Sequence, residues 1–256
     1  MPGPTKRKIA VFDIDGTIFR SSLLIEAFHA LIERGIFPSS ALREVKRDHT
    51  AWLDRKGHYD DYLMKLVRVY YRHLRGKRPD VVEPIFSQLI RTQRHRVYRY
   101  TRDLIPRLRA QGYYLVALSN SQDAIVKKFA STFDFDHIIG RSTEVRDGRY
   151  TGHGIINGTR LPVGVKLDKP KLLTDFLATH DIVPDLPRSL AIGDSEGDLD
   201  ILSTVGKPIA FNPSFELARV AKRRAWTIVI ERKDVMYEIK DAAFLAAERP
   251  RERAKF

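Results

Sequence analysis

Short apolar runs at residues 9–12, 113–118, 137–140, 190–192, 208–211 and 227–230 alternate along this chain with stretches whose apolar residues recur every three or four positions. Runs of that length read as buried strands, and the longer stripes as amphipathic helices. Strands that alternate with helices assemble into a parallel sheet wound on both faces. The chain therefore reads as α/β, with a Rossmann-like doubly wound parallel sheet core. Sheets of this kind gather their ligands at the carboxyl ends of the strands.

Those ends carry the polar chemistry. The first run stops at Asp13-Ile14-Asp15-Gly16-Thr17, where two carboxylates stand at the tip of a strand and Gly16 permits a sharp turn away. Leu118-Ser119-Asn120 closes the second run. Lys169 and Pro170 open a helix whose stripe is Leu173, Phe176 and Leu177, and Gly193-Asp194-Ser195 with Asp198 follows the run at 190–192. A solvated acidic loop is the ordinary reading of any one of these segments. If the strands are neighbours, Asp13, Ser119 and Asp194 project over one edge and Lys169 joins them there.

In this order the four segments resemble the signature motifs of the haloacid dehalogenase superfamily, and within it the phosphoserine-phosphatase-like branch (subfamily IB). Asp147-Gly148-Arg149-Tyr150-Thr151-Gly152 is similar to that branch's small β-hairpin, and Asn212-Pro213 with Leu217 and Trp226 to its ending. The resemblance implies a catalytic core from residues 1–20 and 99–256, with an inserted all-helical cap at 21–98. It also implies a magnesium-dependent phosphomonoesterase that forms an aspartyl-phosphate from a small phosphorylated metabolite.

The residues suit that chemistry. Asp13 is the expected nucleophile, since an aspartate is ionised at neutral pH without a base. Asp15 is the expected acid/base, placed two residues on, where it meets the leaving oxygen. Ser119, Asn120 and Lys169 are the expected phosphate ligands, Lys169 also offsetting the charge of the nucleophile. A magnesium ion (Mg2+) is expected on the side chains of Asp13 and Asp194 and the backbone carbonyl of Asp15, with Asp198 behind them holding a metal-bound water or Lys169. Lys166 and Lys171 are close alternatives to Lys169, which is preferred because Leu173, four residues on, begins the stripe. Dehalogenases need no acid/base aspartate at position 15 and ion-pumping ATPases carry threonine there, so Asp15 favours phosphate esters. Characterised phosphoserine phosphatases carry a glutamate nine residues after the nucleophile; here that position is Ser22, with Glu26 one turn further, which argues against L-phosphoserine.

Composition narrows the rest. The absence of cysteine excludes disulfides, thiol nucleophiles and thiolate ligands, leaving oxygen or imidazole for any metal. Lys and Arg outnumber Asp and Glu by 45 to 32, and residues 20–100 alone hold 17 against 9. That excess fits attraction of an anionic substrate. No nucleic-acid motif accompanies it, so nucleic acid is not an expected partner. No targeting segment or membrane-length run is visible, which makes a cytoplasmic location the expectation. The sequence leaves the oligomeric state open. Residues 22–98 read as three or four helices, and the charged tail 231–256 as a solvated helix with a frayed end. A phosphotransferase or mutase of the same superfamily, and a non-catalytic anion or nucleic-acid binding protein on this scaffold, are the alternatives.

Overall fold

A computed structural model of the chain describes residues 6–156, 159–165 and 167–239. Its central strand, β1 (Ile9–Phe12), is too short and apolar to be anything but interior, and it pairs in parallel with β2 (Tyr114–Gln122) and β6 (Leu190–Gly193). The parallel run continues through β3 (His137–Arg146) on one side, and through β7 (Lys207–Phe211) and β8 (Thr227–Arg232) on the other. β4 (Arg149–Ile156), β5 (Thr159–Leu161) and β9 (Val235–Ile239) add antiparallel edges. The resulting order is β5-β4-β3-β2-β1-β6-β7-β8-β9. The sheet is therefore α/β as expected, but mixed at both margins.

Side-chain alternation divides the interior into two layers. Ala10, Phe12, Leu115, Ala117 and Ile192 face one helical layer, which includes α5 (Arg99–Ala110) and α6 (Asp123–Ala130). Ile9, Val11, Val116, Leu118 and Ala191 face the other, covered by α7 (Lys169–Thr179), α8 (Leu199–Thr204) and α9 (Phe215–Arg223). Parallel strands wrapped on both faces need this continuous hydrophobic character.

Between β1 and α5 lie four helices, α1 (Leu23–Glu33), α2 (Ser40–Leu53), α3 (Tyr59–Leu74) and α4 (Pro79–Gln93). Their apolar stripes turn inward: Leu24, Phe28, Leu31, Tyr62, Leu66, Val69 and Tyr70 are all buried. Phe28, Tyr70 and Phe86 belong to the same apolar cluster as Phe12 and Phe129, so this insert shares a core with one face of the sheet. The two connections to the insert run side by side, Arg20 N donating to Arg96 O (3.0 Å) and Tyr98 N to Ile18 O (2.9 Å). The second connection is held from the far end of the sheet, where the Glu231 carboxylate accepts from the first N–H groups of α5, Arg99 N at 3.0 Å and Tyr100 N at 2.8 Å.

Two expectations change. Residues 231–239 are not the start of a helix: β8 runs to Arg232, Lys233 turns with φ 56°, and β9 pairs back antiparallel. Val235, Met236, Tyr237 and Ile239 have the β-prone character that the flanking charges mask. β2 also extends to Gln122, past the residue at which the second run was expected to end. Residues from Lys240 onward, Met1 to Thr5 and Lys166 lie outside the described residues. Among the described residues no helix is long and apolar enough to cross a membrane.

Phe129 is fully buried and meets Phe19 edge-on and Phe133 at a tilt, at centroid distances of 5.3 and 5.4 Å. Phe129→Ala is expected to cost about 3–5 kcal/mol in urea unfolding, and Phe129→Leu substantially less.

Candidate active site

The turn after β1 is built on one carbonyl. Ile14 O accepts from Thr17 N, Ile18 N and Phe19 N (3.2, 2.9 and 2.9 Å), which winds the chain tightly and leaves Asp13 and Asp15 on either side of the buried Ile14. Gly16 takes φ +81°, and a Cβ there would lie 2.0 Å from Asp194 Oδ2. Glycine is thus required twice, for its backbone conformation and for the close approach of Asp194. Gly193 has the same second role: its Cβ would stand 2.4 Å from Asp198 Cγ.

Asp13, Lys169, Asp194 and Asp198 meet at the carboxyl edge of β1 and β6. Lys169, the first residue of α7, is 3% exposed, and its ammonium donates to Asp13 Oδ1 (2.6 Å) and Asp198 Oδ1 (2.5 Å). The other oxygen of Asp198 accepts from Asp194 N and Ser195 N, both at 3.1 Å. Asp168 starts α7 by accepting from Lys171 N (3.0 Å), and the Lys171 ammonium pairs with Asp175 instead of entering the site.

Asp15 has a different set of partners. Its carboxylate accepts from Leu23 N at the start of α1 (2.5 Å) and from the hydroxyls of Ser119 (2.6 Å) and Ser121 (2.8 Å). Ser119 Oγ in turn accepts from Ser121 N (2.9 Å). The Asn120 side chain accepts from Leu167 N (2.7 Å), two residues before Lys169. Arg141, 7% exposed, reinforces that tie by donating to Asn120 O (3.3 Å) and Val165 O. The sequence reading missed Ser121 and Arg141. Ser121 was detectable, because two hydroxyls two residues apart on a strand share a face; Arg141 left no local signal. Glu26 is not open to a substrate ammonium, since it accepts from Ser21 Oγ (2.7 Å), Gln93 Nε2 (3.1 Å) and Arg96 Nη1 (2.9 Å).

Negative charge is in excess here, with Asp13, Asp15, Asp194 and Asp198 gathered, among the described residues, around the Lys169 ammonium. Burial pushes the Asp13 carboxyl up to about 7, with Lys169 opposing and Asp198 and Asp15 adding to the rise. Burial, then Asp13 and Asp198, hold Asp194 well above the usual carboxylate range. Burial works against the charge on Lys169, but Asp13 and Asp198 outweigh it and raise its pKa. One oxygen each from Asp13, Asp194 and Asp198 lies within 4.8 Å of the others, a grouping that can hold a metal ion. Crowded carboxylate oxygens without sulfur fit a hard divalent cation. The side chain of Asp15 is outside that grouping.

Comparison with known proteins gives the family and the fold. The family model of haloacid dehalogenase-like hydrolases matches residues 10–203, and the chain belongs to that family. A histidinol-phosphatase of Neisseria meningitidis is 26% identical over 87% of this chain and 98% of its own length. A phosphoserine phosphatase of Mycobacterium tuberculosis is 26% identical over 85% of this chain but only 47% of its own. Among solved structures, a protein of unknown function from Bordetella pertussis superposes with a TM-score of 0.70 at 24% identity, covering 89% of this chain and 99% of that one. A phospho-aspartyl intermediate analogue of phosphoserine phosphatase has the same fold, with a TM-score of 0.57 at 22% identity over 90% and 96% of the two chains.

A pH dependence follows for the metal-free protein. Asp13 titrates at about 7 when folded against 3.8 for the ordinary group, so the folded state holds the extra proton between these values. Its contribution to stability is present at low pH and is lost as pH rises through about 7. A cation competes with that proton. Magnesium is therefore expected to raise the melting temperature of EDTA-treated protein more at pH 7.5 than at pH 5.5, measured by calorimetry.

Proposed function

We propose that this chain is a magnesium-dependent phosphomonoesterase that works through an aspartyl-phosphate on a small phosphorylated metabolite. The observation that carries this reading is the buried Lys169 ammonium, 2.6 Å from Asp13 and 2.5 Å from Asp198, in the same cluster as Asp194. A lysine held on one oxygen of a buried aspartate opposes the rise that burial imposes on its pKa and aligns the group for attack on phosphorus.

Asp13 forms the bond to phosphorus, and the bond to the alcohol oxygen breaks. Lys169 offsets the charge of the nucleophile and of the transferring oxygens, which Ser119 Oγ and the Asn120 backbone N–H also hold. Asp15 gives its proton to the departing oxygen and later takes one from the water that hydrolyses the phosphoenzyme. Its contacts with Ser121 and Leu23 N aim the carboxyl group for both steps, while the Ser119 hydroxyl turns from Asp15 to the phosphoryl oxygen. A magnesium ion on Asp13, Asp194 and the Asp15 carbonyl, with Asp198 behind them, would supply the positive charge that lets a phosphate dianion approach a carboxylate. Residues 21–98 act as the cap over a catalytic core of 1–20 and 99–256.

The relatives suggest histidinol phosphate and phosphoserine as first substrates to try. Ser22 and the occupied Glu26 disfavour the second. In a magnesium-supplemented panel of phosphomonoesters, wild type is expected to release phosphate from at least one, and Asp13→Asn to lose about 10³-fold or more in kcat with an unchanged circular dichroism spectrum. Full activity in Asp13→Asn, or fastest turnover on phosphoserine, would overturn the corresponding part of this reading.

A further inference from the structure

The segment assigned above to the phosphoryl oxygens interrupts the sheet. The parallel register of β2 and β3 sets Leu118 against Ile139 and resumes with Gln122 against Arg141, so Ser119, Asn120 and Ser121 bulge out opposite Gly140. A bulge releases backbone groups from the ladder and re-aims the side chains it carries. Those groups then need other partners.

Arg141, the residue that closes the bulge from the neighbouring strand, supplies one. Its buried guanidinium donates through Nε to Asn120 O (3.3 Å) and through Nη2 to Val165 O, in the loop that leads to Lys169. Gly154 of β4 lies over it, where a Cβ would stand 3.4 Å from Nη1. Among the described residues no carboxylate forms an ion pair with Arg141, and burial pushes its pKa down. A buried cation normally has such a partner.

The peptide that Arg141 grips has a second end. Its N–H, that of Ser121, donates to Ser119 Oγ (2.9 Å), and the Ser119 hydroxyl donates in turn to Asp15 Oδ2 (2.6 Å). A cation on the carbonyl polarises the peptide and strengthens the bond that its N–H makes. With a lone pair of Ser119 Oγ engaged in this way, the hydroxyl proton is directed forward, to Asp15 or to a phosphoryl oxygen.

We propose that Arg141 is a positioning residue for phosphate binding, acting through the Asn120–Ser121 peptide to set the Ser119 hydroxyl as a donor. The assignment rests on the phosphatase reading above in taking Ser119 as a ligand of the phosphoryl group. Ser119 meets those oxygens in the bound substrate and in the transition state alike, so its orientation is felt in binding more than in turnover. Lys169 keeps its own ties to Asp13 and Asp198, which leaves the chemical step nearly intact.

Titration calorimetry with inorganic phosphate and magnesium, beside KM on the best ester of the panel, tests this. Arg141→Met is expected to raise the phosphate Kd and KM together by about tenfold with kcat within about twofold, and Arg141→Lys, which keeps the charge but not the fork, by about threefold. In a Ser119→Ala background, Arg141→Met should change Kd by about twofold or less, because the hydroxyl it aims is gone. A merely structural role would lower kcat or the melting temperature and leave Kd and KM alone. Wild-type phosphate affinity in Arg141→Met, or in Arg141→Lys if the methionine variant does not fold, would overturn the assignment, as would an equal loss in both backgrounds. Wild type that binds phosphate but hydrolyses no ester would remove the phosphatase reading, and the Kd values would still decide the role of Arg141. Wild type that binds no phosphate would end both.

Discussion

An ammonium buried among carboxylates sets the terms for everything around it. Lys169 is almost wholly removed from water, and a charge in that position costs several kcal/mol unless opposite charges reach it directly. Asp13 does so from the end of β1 and Asp198 from the turn that follows β6, while Gly16 and Gly193 give up side chains so that Asp194 and Asp198 fit. The parallel order of β1, β2 and β6 is what brings such distant residues to one edge. Sheet topology and site electrostatics are here the same problem, solved once.

The solution is deliberately incomplete. Charge balance around a lone ammonium would need one carboxylate, and the fold supplies several, with Asp13 and Asp194 displaced toward their protonated forms. Carboxylates held in such tension are typical of proteins that trade stability for function. The surrounding hydrogen bonds show where the compensation lies: Asp198, Asp15 and Asn120 each receive backbone or hydroxyl donors that lock their orientation. Rigidity in the supporting groups permits tension in the central ones.

Much of this was legible in the residues. Apolar runs with abrupt polar ends located the strands, because burial on both faces leaves little room for other patterns. The order of Asp13, Ser119, Lys169 and Asp194 pointed to one sheet edge, since a doubly wound topology aligns strand ends. What escaped was non-local or weakly patterned. β9 is an exposed edge strand whose charged flanks hide its β-prone centre. Glu26 is neutralised by Arg96, from the other end of the insert, a pairing that only the closed fold creates. Arg141 reaches Asn120 and Val165 through a side chain whose burial no local spacing announces.

The Glu231 carboxylate on the first turn of α5 ties the last parallel strand to the connection through which the helical insert rejoins the sheet. Asp13 and Glu231 stand 218 residues apart, so synthesis must run from the one to the other before this tie can form. Until that strand emerges, a growing chain carries Asp13 without the tie between β8 and α5. The return of the insert to the sheet is thus fastened only once β8 has been made.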